Sequence, residues 1–223
     1  MILYVNGDSH SAGTDAGADW KEWQNLSYGK KLADSLNFDF VCDAQAGCSN
    51  DSIINRTTEY LKTNTPDFVV IGWSTFERQE WTYRNRKYQI TSSGFDKLPK
   101  GLHQKYKEFV INSHLPETQW RVEKDNHNKI YNLHLELKQK NIKHLFFNCY
   151  SWFFYHTAQN WTKTDWGNNY IDPYNKNSTY YFWLESQGFK PRRKKYYHYG
   201  ADAHQAWAEF LLPKVQSLLT QNG

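Results

Sequence analysis

The chain opens with an apolar run, Ile2-Leu3-Tyr4-Val5, and passes at once into VNGDSHSAG (residues 5–13), where Asp8, Ser9 and His10 stand together. These are the side-chain types of nucleophilic catalysis. A serine hydroxyl is a poor nucleophile until an imidazole within hydrogen-bond reach takes its proton. The same residues are also ordinary turn formers: glycine tolerates unusual backbone angles, and Asp and Ser bond their own backbone. Nine residues leave both readings open. Two more small polar clusters, Ala46-Gly47 and Trp73-Ser74, likewise follow apolar runs.

Placing these clusters needs the elements around them. Residues 1–7 read as a strand, 20–36 as a helix and 38–44 as a second strand. Residues 48–64 read as a helix capped by Ser49 or Asn50, with Ile53, Ile54, Thr57 and Leu61 on one face. DFVVIGWS (67–74) is a third strand, apolar enough to be covered on both faces. A helical pattern over 117–140 runs through Trp120, Tyr131, Leu133 and Leu137, KHLFFNCY (143–150) is a fourth strand, and 201–219 closes as a helix that Pro213 should kink or divide. Strands alternating with helices predict a parallel sheet between two helical layers, a three-layer α/β/α arrangement of the flavodoxin-like kind. Ligands bind such sheets beyond the carboxyl ends of the strands, and all three clusters fall there. Residues 75–116 and 151–198 are too long for plain loops. They read as two aromatic-rich insertions in a single domain, 1–223, roofing the same edge.

Composition narrows the partners. With 223 residues and a net charge of +4, the chain has much of its positive charge in Lys190, Arg192, Arg193, Lys194 and Lys195. No nucleic-acid motif accompanies that stretch, so a solvated loop is expected rather than a nucleic-acid surface. No apolar run is long enough to cross a membrane. The first residues lack the charged start, apolar run and cleavage site of a secretory signal. The chain is therefore expected in the cytoplasm, or released without a signal, for example with a virus particle or a lysed cell. Cys42, Cys48 and Cys149 are an odd number without metal-type spacing and read as reduced, packed thiols. The histidines also lack ligand spacing, so neither a metal nor another cofactor is expected. Aromatic residues make up 17% of the chain, with the excess in 73–88 and 150–199, where they line a binding surface or build a small core.

Taken together, the clusters resemble the blocks of the GDSL, or SGNH, hydrolases, over the whole length of the chain. In that family the serine of Gly-Asp-Ser, here Gly7-Asp8-Ser9, is the nucleophile. A second block supplies a glycine whose N–H helps hold the oxyanion, and AQAGCSN places Gly47 there. HYGADAHQAWAEFL (198–211) resembles the family's ending, with His198 in the place of the general base and His204 in that of a structural histidine. The resemblance implies a serine esterase. The N–H groups of Ser9 and Gly47 would hold the oxyanion, which backbone donors at a helix start suit well.

The departures shape the expectations as much as the matches. The third block normally supplies an asparagine, but Gly72-Trp73-Ser74-Thr75 offers Ser74 instead. Asn50 is a second candidate donor, with helix capping the preferred reading. Lys195 stands three residues before His198, where the orienting aspartate belongs. A carboxylate from elsewhere (Asp202 or an acid of the insertions) replaces it, or a backbone carbonyl orients His198, or the site no longer turns over. A rival reading takes His204 as the base with Asp202 beside it. Asp8 is a supporting residue, and His10 reads as pocket-lining or structural. Glu77, Arg78 and Glu80 read first as an ionic cluster holding the first insertion, with substrate binding the alternative. The expected substrate is a small acyl ester, with acetyl on a carbohydrate favoured because flat rings suit sugar faces. The competing class is a binding or structural protein that kept the fold and lost the reaction.

Overall fold

The computed structural model describes residues 1–92, 98–159, 162–192 and 197–221. Four parallel strands form the central sheet: β1 (Ile2–Gly7), β2 (Asp39–Cys42), β3 (Phe68–Trp73) and, late in the chain, β6 (Lys143–Asn148). Their spatial order is β2-β1-β3-β6. Register is continuous across the middle, with Val5 opposite Val70 and Val70 opposite Leu145. This is the flavodoxin-like order, in which successive crossovers place helices on both faces.

Side chains alternate along each strand, so two separate cores form. Leu3, Val5, Phe68, Val70, Leu145 and Phe147 face one way. They pack on α2 (Tyr28–Leu36), α7 (Tyr180–Ser186) and α8 (Ala201–Thr220). Tyr4, Val69, Ile71 and Phe146 face the other way, onto α3 (Asn50–Tyr60) and α5 (Pro116–Gln139). Every residue of β3 is buried, as its unbroken apolar sequence predicts.

Several elements differ from the sequence reading. The single helix expected over 20–36 is two, α1 (Trp20–Leu26) and α2, broken at Ser27, whose ψ of 154° is extended. The Ser27 hydroxyl donates to the Gln24 carbonyl and accepts from the Lys30 N–H, ending one helix and opening the next. In α5, Trp120 is partly exposed, and the buried stripe instead carries Glu123, Asn126 and His127 beside Ile130, Leu133 and Leu137. Leu133 and Leu137 lie on the buried face as their spacing predicts, but apolar spacing does not mark the polar residues that complete it. α8 runs unbroken through Pro213, so the proline does not divide it.

The first insertion forms an antiparallel hairpin, β4 (Gln79–Tyr83) and β5 (Arg86–Ile90), followed by α4 (His103–Ser113). Trp81, Ile90, Leu102 and Tyr106 give it a small core of its own. The second insertion carries α6 (Phe154–Ala158) and α7. Among the described residues, no helix is long and apolar enough to cross a membrane.

Candidate active site

β1 ends at Gly7 with φ of 150°, where a Cβ would sit 2.2 Å from Ser11 Oγ and 2.6 Å from the Gly72 carbonyl. No larger residue fits that exit. The chain then coils: the Ala12 N–H donates to the Asp8 carbonyl at 2.9 Å, and the Thr14 N–H to the Ser9 carbonyl at 3.0 Å. Ser9 thus lies just past the carboxyl end of β1, largely buried.

Asp8 lies beside it and is almost fully buried. Its Oδ1 accepts the His10 N–H at 3.0 Å and faces His10 Nδ1 at 3.1 Å, and its Oδ2 lies 3.5 Å from Arg78 Nη1. Burial by itself would raise this carboxyl. His10 and Arg78 outweigh it and hold Asp8 well below the usual carboxylate range.

From the far end of the chain, His198 packs against the same turn. Its ring meets His10 edge-on with centroids 5.6 Å apart, and its Nδ1 lies 2.9 Å from Asp15 Oδ2. Lys195 itself, with residues 193–196, lies outside the described residues. The carboxylate that faces the imidazole comes from neither Asp202 nor an insertion. Asp15, in the turn that carries Ser9, holds it, while Asp202 is exposed in the first turn of α8. Asp15 is itself at φ 64°, a left-handed conformation that Asp tolerates better than most residues. Arg192 fastens the arrangement: its Nη1 donates to the Asp15 carbonyl and its backbone N–H to the His198 carbonyl, both at 2.8 Å. With an Nδ1–H donated to Asp15, Nε2 is left as the basic nitrogen. His198 is shifted below 6.5, first by burial and then by His10, with Asp15 and Asp8 opposing.

His204 is not a rival base. It is buried in the core, its Nδ1 accepts the Tyr28 N–H at 3.2 Å, and burial pushes its pKa down to about 3. That is the structural place expected for it.

The second and third loops supply the remaining groups. Gly47 sits at φ 83° in the turn before α3. Ser49 caps α3, its hydroxyl accepting from the Ser52 N–H, so Asn50 is not the cap. Nor does Asn50 have a donor to spare. Its Nδ2 donates to the Ser74 carbonyl at 3.2 Å and to Asn126 Oδ1 at 2.8 Å, while its Oδ1 accepts the Ser74 N–H at 2.8 Å. Asn50 therefore fixes the strand end at Ser74 rather than facing a ligand. Ser74 Oγ accepts from Arg78 Nη1 at 2.8 Å, which leaves its own hydrogen available to donate. Arg78 also donates to the Cys48 carbonyl at 3.2 Å. Of the three rim residues read as one ionic cluster, only the two acids hold the insertion: Glu77 accepts from Ser92, and Glu80 pairs with Lys87 and accepts from Gln89. Arg78 turns inward to the site.

One group among the described residues brings three metal-ligand types within 4.8 Å of one another: Asp8, His10 and Cys149. The Asp8 carboxylate is already engaged by His10 and Arg78, and burial pushes the Cys149 thiol well up. The set is a hydrogen-bonded network beneath the serine turn in which the buried His10 Nε2 has no hydrogen-bond partner among the described residues, and sequence spacing had not foreshadowed it.

No family model and no curated protein sequence matches the chain. Solved structures do. The psychrotrophic esterase EstA of Pseudoalteromonas sp. superposes with a TM-score of 0.54 at 12% identity, covering 99% of both chains. A carbohydrate esterase whose active site has divergent catalytic and non-catalytic binding functions superposes at 0.50 and 14% identity, covering 97% of this chain and 64% of that one. The fold is that of these esterases. A carbohydrate esterase family 2 enzyme with a carbohydrate-binding domain, from Corynascus thermopiles (Myceliophthora fergusii), is similar at a TM-score of 0.48 and 16% identity, covering 99% of this chain and 67% of that one. The chain thus spans about two thirds of the length of these two carbohydrate esterases.

Within this fold, the candidate site residues come from three strand ends and one distant loop. Sequence reasoning missed Asp15 and read Arg78 first as part of the ionic cluster of the insertion. Their only signals were an aspartate in the serine turn and an arginine four residues past Ser74.

Proposed function

We propose that the protein is a serine ester hydrolase in which Ser9 is the nucleophile and His198 the general base. The observation that carries this is the Asp15–His198 pair packed against the turn of Ser9. Ser9 Oγ attacks the acyl carbon while His198 Nε2 takes the hydroxyl proton. Asp15 fixes the tautomer and stabilises the imidazolium that forms. The N–H groups of Ser9 and Gly47, with the Ser74 hydroxyl, hold the developing oxyanion. His198 then gives its proton to the leaving alcohol, and water, deprotonated by the same nitrogen, releases the acid from the acyl-enzyme.

The substrate is a small acyl ester on an alcohol, with an acetylated carbohydrate the preferred class. The aromatic rim and the carbohydrate esterases that share the fold support that choice. The competing reading, a binding protein that lost the reaction, drew on Lys195 and Ser74. Asp15 supplies the carboxylate whose absence was the stronger of those two arguments.

A fluorophosphonate probe tests the proposal. Covalent labelling of Ser9, lost in Ser9→Ala together with hydrolysis of short acyl esters and acetylated sugars, is expected. An unlabelled Ser9 in a folded protein, or full ester hydrolysis by Ser9→Ala, overturns it.

A further inference from the structure

Beyond the carboxyl ends of β3 and β6 lies a cavity of about 780 Å³, whose lining begins at Thr75 and Phe76, directly after Ser74. This is the size range of small-ligand sites. Both insertions build it. One wall is the segment 150–155, where Tyr150, Trp152 and Tyr155 are partly exposed and Phe154 is 50% exposed. Polar side chains line the cavity too: Glu77 and Gln79 at the start of the hairpin and Glu108 and Asn112 from α4. Lys105 and Arg121 also line it, so charges of both signs are interspersed.

The rings are held rather than loose. Tyr150 packs against Tyr181 and Phe182, with centroids 5.1 and 5.3 Å away. Trp152 meets Phe182 edge-on at 5.9 Å, and Tyr155 donates to Gln119 Oε1 at 2.8 Å. Trp81, though it lines the cavity, is covered by Lys105, whose Nζ lies 4.2 Å from its ring centre. Glu123, a carboxylate 4% exposed, also lines the cavity. Its Oε1 accepts the His156 N–H at 3.0 Å and faces His156 Nδ1 at 3.1 Å, which holds the carboxyl group in place.

Each feature selects against some occupants. A lipid chain prefers an unbroken apolar lining, and here carboxylates and amides interrupt it. A polyanion prefers a field of one sign, and here lysine and arginine are outnumbered by glutamates. A sugar chain presents C–H faces that lie on rings and hydroxyls that both donate and accept. That suits a lining that combines rings with carboxylates and amides.

We propose that this cleft binds a neutral oligosaccharide, the alcohol part of the ester whose acyl group Ser9 attacks. Tyr150, Trp152 and Phe154 stack on the sugar faces, while Gln79, Asn112 and Glu123 accept or donate to the hydroxyls. The inference rests on the ester-hydrolase reading for what the bound sugar is for, but not for its binding.

Calorimetric titration of the full-length Ser9→Ala protein with xylotetraose, cellotetraose and mannotetraose tests it, with decanoate and a sulfated tetrasaccharide as controls. At least one neutral tetrasaccharide is expected to bind. Its Kd should rise about tenfold in Trp152→Ala and in the half-exposed Phe154→Ala, the loss of one ring contact. Circular dichroism of both variants should match that of the parent, which separates a lost ring contact from a lost fold. No binding by any neutral sugar, unchanged Kd in both ring variants, or tighter binding of decanoate or the sulfated sugar overturns the proposal. Sugar binding without ester turnover would sink the hydrolase reading and leave the cleft standing; turnover without sugar binding would do the reverse.

Discussion

Asp15 Oδ2 and His198 Nδ1 lie 2.9 Å apart although 183 residues separate them in sequence. The turn leaving the first strand therefore carries both the serine and the acid that orients the distant histidine. A carboxylate contributed this way occupies no position in the histidine's own loop, which leaves that loop free to carry the basic stretch.

Removing this acid should cost turnover rather than binding. Asp15→Asn is expected to lower kcat on p-nitrophenyl acetate by about 10²–10⁴, with KM little changed, because the imidazole loses its tautomer and its counter-charge. Asp202→Asn, by contrast, should leave kcat within about twofold of the parent. Equal losses from both substitutions would contradict the assignment of Asp15 as the positioning residue.

The pH profile of activity follows from His198. Its basic form must be present for attack, so kcat/KM should rise with pH through a midpoint below 6.5. Burial and the neighbouring His10 are the causes. His10→Gln should accordingly move the midpoint upward. A midpoint well above 6.5 in the parent protein would refute this environment.

Asn50 offers a stability test separate from chemistry. Its amide satisfies both the N–H and the carbonyl of Ser74 inside the protein. Asn50→Ala strands two buried backbone groups and should cost about 2–4 kcal/mol in urea unfolding. A loss below about 0.5 kcal/mol would show that water reaches the strand end.

Stability should also fall with acid. Burial lowers the pKa of His204 to about 3 and those of His127, His134 and His144 to about 4. Unfolded histidines titrate near 6.5, so between that value and the folded ones the unfolded chain binds more protons and stability rises with pH. The stabilisation is complete above 6.5 and is lost as pH falls toward 4. His204 alone should contribute a slope approaching about 1.4 kcal/mol per pH unit over much of this window. Asp8, held low by His10 and Arg78, adds a further loss below its ordinary value of 3.8. Urea midpoints that stay flat from pH 7 to pH 4.5 would contradict the buried neutral histidines.

How much of this was legible depends on the range of the interaction. The apolar runs at 67–74 and 143–150 announce buried strands because each residue's surroundings follow from local pattern. Gly7-Asp8-Ser9 sits where a strand must turn, and His204 could be set apart as structural from its place in the final block. The break at Ser27 and the buried polar stripe of α5 were misread. A serine mid-pattern and glutamate, asparagine and histidine on a helix face all look solvent-facing until their partners are known.

The sequence by itself determined the alternation of strands and helices, the sheet edge on which the small polar clusters gather, and the types of group available there. Only the tertiary structure decided which carboxylate faces His198, that Asn50 fastens Ser74 instead of capping α3, that Arg78 turns inward, and that two insertions enclose one cleft. The reason is physical. Periodicity and turn chemistry act over a few residues, whereas a hydrogen bond between residues far apart in the chain exists only once packing has brought them within about 3 Å.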